Sequence, residues 1–258
     1  MCLISFNWLD HPTYKLALVA NRDEFYDRKS ASLHLWGSGI YAGKDLEGGG
    51  TWMGFHPGGK FAALTNYRGI SDHPSHPISR GMLVKDFLEN EEEPFEYLES
   101  IQEVSKHYQG FNLLVAQGDE MAYLSNHLQS IQKVSPGLHG LSNSFLDTPW
   151  PKVVSAKKEL SKLLENRVVK KGDLMNLLQS RTYSPNEFLP QTGISLEMER
   201  NLSAQFIKIG EEYGTVNTTG LLWRHDGKID LMENRTHPKL STRINCKIQE
   251  VETKVNKF

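Results

Sequence analysis

The sequence predicts an α+β protein, a four-layer αββα sandwich of two antiparallel sheets. Three observations predict it. Short apolar runs recur in pairs joined by turn residues, as hairpin-connected strands do. Amphipathic helical segments fall between two blocks of such strands, and sheets covered by helical layers make a layered sandwich. No internal repeat, low-complexity tract or linker interrupts the pattern, so residues 1–258 read as a single domain.

The elements follow in order. "CLISFNW" is rich in strand formers, "LDHPTYK" is a turn, and "LALVAN" is a second buried strand expected to end at about Asn21. Pairing as a hairpin, the two strands bring Cys2 near Asn21–Asp23. Strand residues alternate faces, so Arg22 and Asp23 can share one pocket only through a bulge or turn at Asn21–Glu24. "GIYAG" is a short strand, and "TWMGF" pairs with "FAALTN" about the turn "HPGGK".

Ser79 is placed to cap a helix through about Asn90, with Leu83, Val84, Phe87 and Leu88 on one face. "PFEYLESIQEVSKHYQG" begins with Pro94, ends at Gly110, and is apolar at Phe95, Leu98, Ile101 and Val104. Strands resume with "FNLLVAQ", "MAYLSN", "IQKVS" and "HGLSNS". "TPWPKVVSAKKELSKLLEN" is a helix and "KGDLMNLLQSR" a shorter one. Residues 182–202 read as an irregular loop. "GTVNTTGLLWRHDGKIDLMEN" is a hairpin about "HDGK", and 240–258 is a peripheral strand or tail.

Composition narrows the function. The chain has 258 residues, 38% hydrophobic and 23% charged, which suits a globular core. The 29 basic and 31 acidic residues leave no electrostatic footprint for nucleic acid. Apolar runs are too short to span a bilayer, and no signal or transit peptide is visible, so a cytoplasmic location is expected. Cys2 and Cys246 match neither a zinc spacing nor a disulfide framework. His73 and His76 lie in a Pro-rich loop without a ligand pattern, and no metal site is expected.

The chemistry begins at "MCLISF". Removal of the initiator methionine would leave a thiol and a free α-amine on one carbon. The amine titrates at about 7.7–8.0 and can serve as base for its own nucleophile. "ANRDEF" ends the second strand in Asn21, Arg22, Asp23 and Glu24. It is either a surface turn or a charged pair beside Cys2, in which a carboxylate orients the amine and Arg22 favours the thiolate. "GKDLEGGGTWMG" allows close backbone approach before Thr51 and Trp52, but it is no Walker loop. In "LTNYR", Asn66 or Thr65 could donate to a developing oxyanion, and Asn143 of "GLSNSFLDTPWPK" could be a second donor.

Taken together, "MCLISF", "NRDE", "GKDLEGGGTWMGF", "FAALTNYR", "SRG" and "HGLSNSFLDTPWPKV" resemble the NRDE family, the transport and Golgi organisation proteins. That family resembles N-terminal-nucleophile (Ntn) hydrolases of the choloylglycine hydrolase and penicillin V acylase type. The resemblance implies Cys2 as nucleophile, Arg22 and Asp23 beside it with Glu24 competing for the carboxylate role, and Asn143 and Asn66 as polar contacts. For the acylases' late arginine, Arg224 and Arg235 are the candidates. The resemblance also implies a binding protein that mobilises an amphipathic acidic metabolite, haem as a transported ligand or an acyl-coenzyme A. The cysteine amidohydrolase or thioesterase is the alternative. No cofactor is needed for the chemistry, and contact with a membrane or donor protein would be transient. Asn21, Arg22, Glu24, Lys44, Thr51, Trp52, Arg68 and Trp150 are the expected ligand contacts, the cations meeting anions and the tryptophans stacking.

Overall fold

A computed structural model describes residues 2–69, 78–128, 130–236 and 239–248. His73, His76 and the end of the expected C-terminal tail lie outside the described residues. The strands are β1 (Cys2–Trp8), β2 (Tyr14–Phe25), β3 (Ser30–Leu35), β4 (Tyr41–Asp45), β5 (Met53–His56), β6 (Lys60–Asn66), β7 (Phe111–Gln117), β8 (Glu120–Ser125), β9 (Gln132–Lys133), β10 (Gly137–Leu141), β11 (Lys208–Ile209), β12 (Tyr213–Arg224), β13 (Lys228–Thr236) and β14 (Lys239–Lys247). The helices are α1 (Gly81–Glu89), α2 (Pro94–Val104), α3 (Pro151–Leu164), α4 (Lys171–Met175) and α5 (Leu196–Asn201).

The strands form two antiparallel sheets. One runs β10-β1-β2-β12-β13-β14, with β11 added on β12, and the other runs β3 to β9 in sequence order. Period-2 alternation divides each sheet's side chains between two faces. From β1 and β2, Ile4, Phe6, Leu16, Leu18 and Ala20 face the second sheet's Phe55, Phe61 and Leu114. Trp223 meets Phe55 edge-on across this interface, at 5.3 Å between centroids. Leu3, Ala17 and Val19 point the other way, onto Val153, Ala156 and Leu174 of α3 and α4. α1 and α2 cover the far side of the second sheet through Leu83, Val84, Phe87 and Leu98. The result is the expected αββα order, with one apolar layer at each of its three interfaces.

Several elements depart from expectation. β2 continues to Phe25 instead of ending at Asn21. It is a central strand held by β1 and β12, so its polar end stays in the ladder. The bulge falls in the partner strand, between Thr215 and Asn217 of β12. Ser79 is not the cap of α1: the flanking residue is Arg80, with no side-chain cap bond. α2 buries Tyr97, Leu98 and Ile101, while Val104 is exposed, so its buried face is rotated from the expected one. Residues 182–202 include a 3₁₀ turn (Asn186–Phe188) and α5, which Ser195 caps by accepting from the Met198 N–H at 3.2 Å.

Candidate active site

The ends of β1, β2 and β12 at one edge of the sandwich meet over a cleft of about 510 Å³. Cross-strand pairing places Cys2 opposite Arg22, Arg22 opposite Asn217, and Asn217 opposite Arg235. Opposed residues share a face. Since Ile4 and Ala20 face the second sheet, Cys2 and Arg22 do so as well. Cys2 is buried on the cleft wall. Burial pushes its thiol above the ordinary value, Asp23 adds to that, and Arg22 opposes it. The resting thiol is therefore protonated at neutral pH, and attack requires a base.

Arg22 is buried, with Nη2 3.4 Å from Glu24 Oε2. Asp23 occupies the opposite face, which α3 covers, yet the cleft reaches it at the sheet's end. Thr215 Oγ1 donates to Asp23 Oδ1 at 2.7 Å. Burial raises the Asp23 carboxyl, with Lys152, Thr215 and Arg22 opposing. Lys152, near the start of α3, is itself buried and donates to the Leu202 carbonyl at 3.0 Å. Burial pushes it down to about 8. Alternation thus gives the thiol an arginine on its own face and a buried carboxyl behind it, with the buried Lys152 ammonium within electrostatic reach of that carboxyl.

Asn66 lines the cleft. Asn143 is fully buried and does not line it: its Nδ2 donates to the Asn66 carbonyl at 2.9 Å. Ser142 Oγ donates to the Cys2 carbonyl at 3.0 Å, and Thr65 Oγ1 donates to the Ser142 carbonyl at 2.5 Å. The "LTN" and "LSN" segments therefore brace each other beneath Cys2.

The other expected contacts divide. Glu24, Lys44, Thr51 and Trp52 line the cleft. Lys44 rests its ammonium on the Trp36 ring, 4.8 Å from the centroid. Asn21 points to the opposite face, where Nδ2 donates to the Leu178 and Gln205 carbonyls and Oδ1 accepts from Thr218. Arg68 and Trp150 are also outside the cleft. The guanidinium stacks on the Trp150 ring at 4.6 Å and pairs with buried Glu199 at 2.9 Å. The residues expected to grip and stack a ligand grip and stack each other.

Asn217, Lys152, Arg28 and Arg80 were not among the site residues expected from the sequence, yet Asn217, Arg28 and Arg80 line the cleft and Lys152 lies behind it. Asn217 donates to Glu233 Oε2 at 3.1 Å, while its buried Oδ1 has no hydrogen-bond partner among the described residues. Glu233 Oε1 accepts from the Leu33 N–H at 3.0 Å, and Arg235 Nη1 donates to the Ser30 carbonyl at 2.8 Å, so β13 is tied to β3 across the sandwich. Arg224 lies at the opposite end of β12, paired with Asp226. Of the two late arginines, Arg235 is the one in the Cys2 row. Among the described residues no cluster suits a metal ion, and no helix is long and apolar enough to cross a membrane.

A family profile, "Transport and Golgi organisation 2", matches residues 1–238. The chain belongs to the transport and Golgi organisation 2 family. Within it, the chain is 32% identical to the Bos taurus transport and Golgi organization protein 2 homolog, over 90% of this chain and 92% of that one. The Homo sapiens homolog is 33% identical over the same shares, 90% and 92%. Two solved structures are similar to this member of the transport and Golgi organisation 2 family. One is a Caenorhabditis elegans ortholog of N-acylethanolamine-hydrolyzing acid amidase, at TM-score 0.49 and 12% identity, covering 86% of this chain and 92% of that one. The other is a C2A mutant of the conjugated bile acid hydrolase from Clostridium perfringens, at TM-score 0.45 and 11% identity, covering 94% and 92%.

Proposed function

We propose that the cleft is an acyl-accepting site in which Cys2 attacks an amide or thioester carbonyl. The observation that carries this reading is the Cys2–Arg22 cross-strand pair on the cleft wall, with Asp23 buried behind it. In a chain that starts at Cys2, the α-amine takes the thiol proton as the S–C bond forms. It then gives that proton to the departing amine or thiol as the acyl bond breaks, and water cleaves the resulting thioester. Asp23 holds the amine, and Arg22 stabilises the thiolate. Asn66 is the cleft-lining amide able to face the oxyanion.

Two measurements test this. Intact mass of the purified chain reports whether Met1 is gone. An electrophilic acyl probe should label Cys2 of the native chain and leave Cys2→Ala unlabelled. Hydrolysis retained by Cys2→Ala would sink the proposal.

A second reading is that the cleft binds and mobilises an acidic amphiphile, haem or an acyl-coenzyme A. It is favoured by the cations Arg22, Arg28, Lys44 and Arg80 on a wall shared with Trp52. Haem titration followed at the Soret band, beside acyl-coenzyme A calorimetry, tests it. The absence of binding to both at micromolar ligand removes it.

A further inference from the structure

Most of the cleft's guanidinium charge is already answered by carboxylates. Arg22 pairs with Glu24, and Arg28 pairs with Asp45 at 2.6 Å, with Glu24 and Glu47 nearby. Arg80 differs. It lines the same cleft, and among the described residues no carboxylate lies within ion-pairing distance of it. Among the described residues its one hydrogen bond is from Nη1 to the Gly110 carbonyl at 2.9 Å. That anchors one arm of the fork, and among the described residues nothing else accepts from the guanidinium.

The position is built, not loose. Thr51 N–H donates to the Gly81 carbonyl at 3.1 Å. Gly50 crosses the Gly81 backbone so closely that a Cβ at Gly50 would lie 2.3 Å from the Gly81 carbonyl carbon. The glycine-rich turn thereby clamps the residue after Arg80 and fixes where its side chain starts. Cys2, Glu24 and Arg28 line the same cleft and lie within electrostatic reach of it. A half-buried guanidinium with open donors beside a thiol is a receptor for planar or tetrahedral oxyanions.

We propose that Arg80 is the anion-recognition residue of the cleft, so that the site takes acyl amphiphiles carrying a carboxylate or phosphate group held close to Cys2. The proposal rests on the acyl-site reading only for the ligand's place beside the thiol. Binding can be read without turnover.

The test uses the full chain with decanoate, decyl phosphate and uncharged decanol below their micelle thresholds. Affinity is measured by calorimetry, and protection of Cys2 from iodoacetamide by intact mass. At least one anion should bind and protect while decanol does not, and the stronger anion identifies carboxylate or phosphate as the preferred group. Arg80→Gln should weaken anion binding by about tenfold or more, as expected for losing a charged hydrogen bond. Should that variant fail to fold, Arg80→Lys, which keeps the charge and loses the fork, should bind severalfold more weakly. Anion affinity unchanged in a folded variant, equal protection by decanol, or no anion binding to the native chain would overturn the assignment. Arg80-dependent binding without acylation of Cys2 by any acyl probe would remove the acyl chemistry and leave the receptor standing. Acylation with Arg80-independent binding would do the reverse.

Discussion

Cys2 and Arg22 stand directly opposite each other in the β1–β2 ladder, on the face turned toward the second sheet. The arginine favours the thiolate against the burial that disfavours it. Replacing Arg22 with Met keeps much of the stem and removes the charge. The Cys2 titration should then move up, and alkylation at neutral pH should slow by roughly tenfold. Iodoacetamide rates across pH, read by mass, check this; an unchanged profile would show the pair to be inert.

Asp23 should make stability fall as pH rises. Its folded carboxyl is raised by burial, so the folded state holds a proton that the unfolded state releases first. Its contribution is complete below the ordinary carboxylate value of about 3.9 and is lost as pH climbs to the higher folded value. Asp23→Asn keeps an acceptor for Thr215 and cannot ionise. Urea midpoints against pH should therefore decline less steeply in the variant.

Lys152 acts in the opposite sense. Its folded value of about 8 lies below the ordinary lysine value, so the unfolded chain binds the extra proton and stability rises between the two. Lys152→Met should flatten that alkaline rise. At neutral pH the removed charge penalty is opposed by the lost bond to Leu202 and the lost cation near Asp23, so little net change in stability is expected. A destabilised Met variant at neutral pH would show that the ammonium is needed to hold Asp23.

Gly50→Ala should be costly out of proportion to one methyl group. The obstacle is the Gly81 backbone, which cannot rotate aside. A loss of about 1–3 kcal/mol is expected, together with displacement of Arg80. Thermal melts measure the first, and decanoate affinity the second.

Asn143→Ala removes the brace on the Asn66 carbonyl, whose amide partner is wholly buried. Losing this part-buried hydrogen bond costs about 0.5–1.5 kcal/mol. If Asn143 is only a brace, acylation of Cys2 should fall through lost folding. If it contacts the oxyanion, acylation should fall in chain that is still folded, and circular dichroism separates the two.

The fold was legible because its signals are local. Alternation, paired apolar runs and turn residues marked the hairpins of β1–β2, β5–β6, β7–β8 and β12–β13, and the spacing of Leu83, Val84, Phe87 and Leu88 marked α1. The Cys2–Arg22 pairing was also local, since one short hairpin creates it. Residues whose role depends on distant packing were not legible. Asn21 looked like part of the site because it adjoins Arg22, but alternation turns it toward Gln205. Arg68 and Trp150 looked like ligand contacts until α5 supplied Glu199. Asn217 and Arg80 reach the cleft from separate blocks of chain, and the "SRG" motif around Arg80 does not show that its arginine meets the Cys2 row. A bulge or turn was expected at Asn21–Glu24 of β2, and the irregularity occurs in β12 between Thr215 and Asn217, where Thr236 Oγ1 donates to the Thr215 and Val216 carbonyls at 2.7 and 3.1 Å.

The row from Cys2 through Arg22 and Asn217 to Arg235 joins the first strands made to some of the last. During synthesis β1 and β2 emerge early, but β2 keeps an open edge until β12 follows. Through most of translation the thiol has its arginine and lacks the far half of its row. The order of manufacture therefore delays the completed site until nearly the whole chain has been made, and a product truncated before β12 would carry Cys2 on an unfinished sheet.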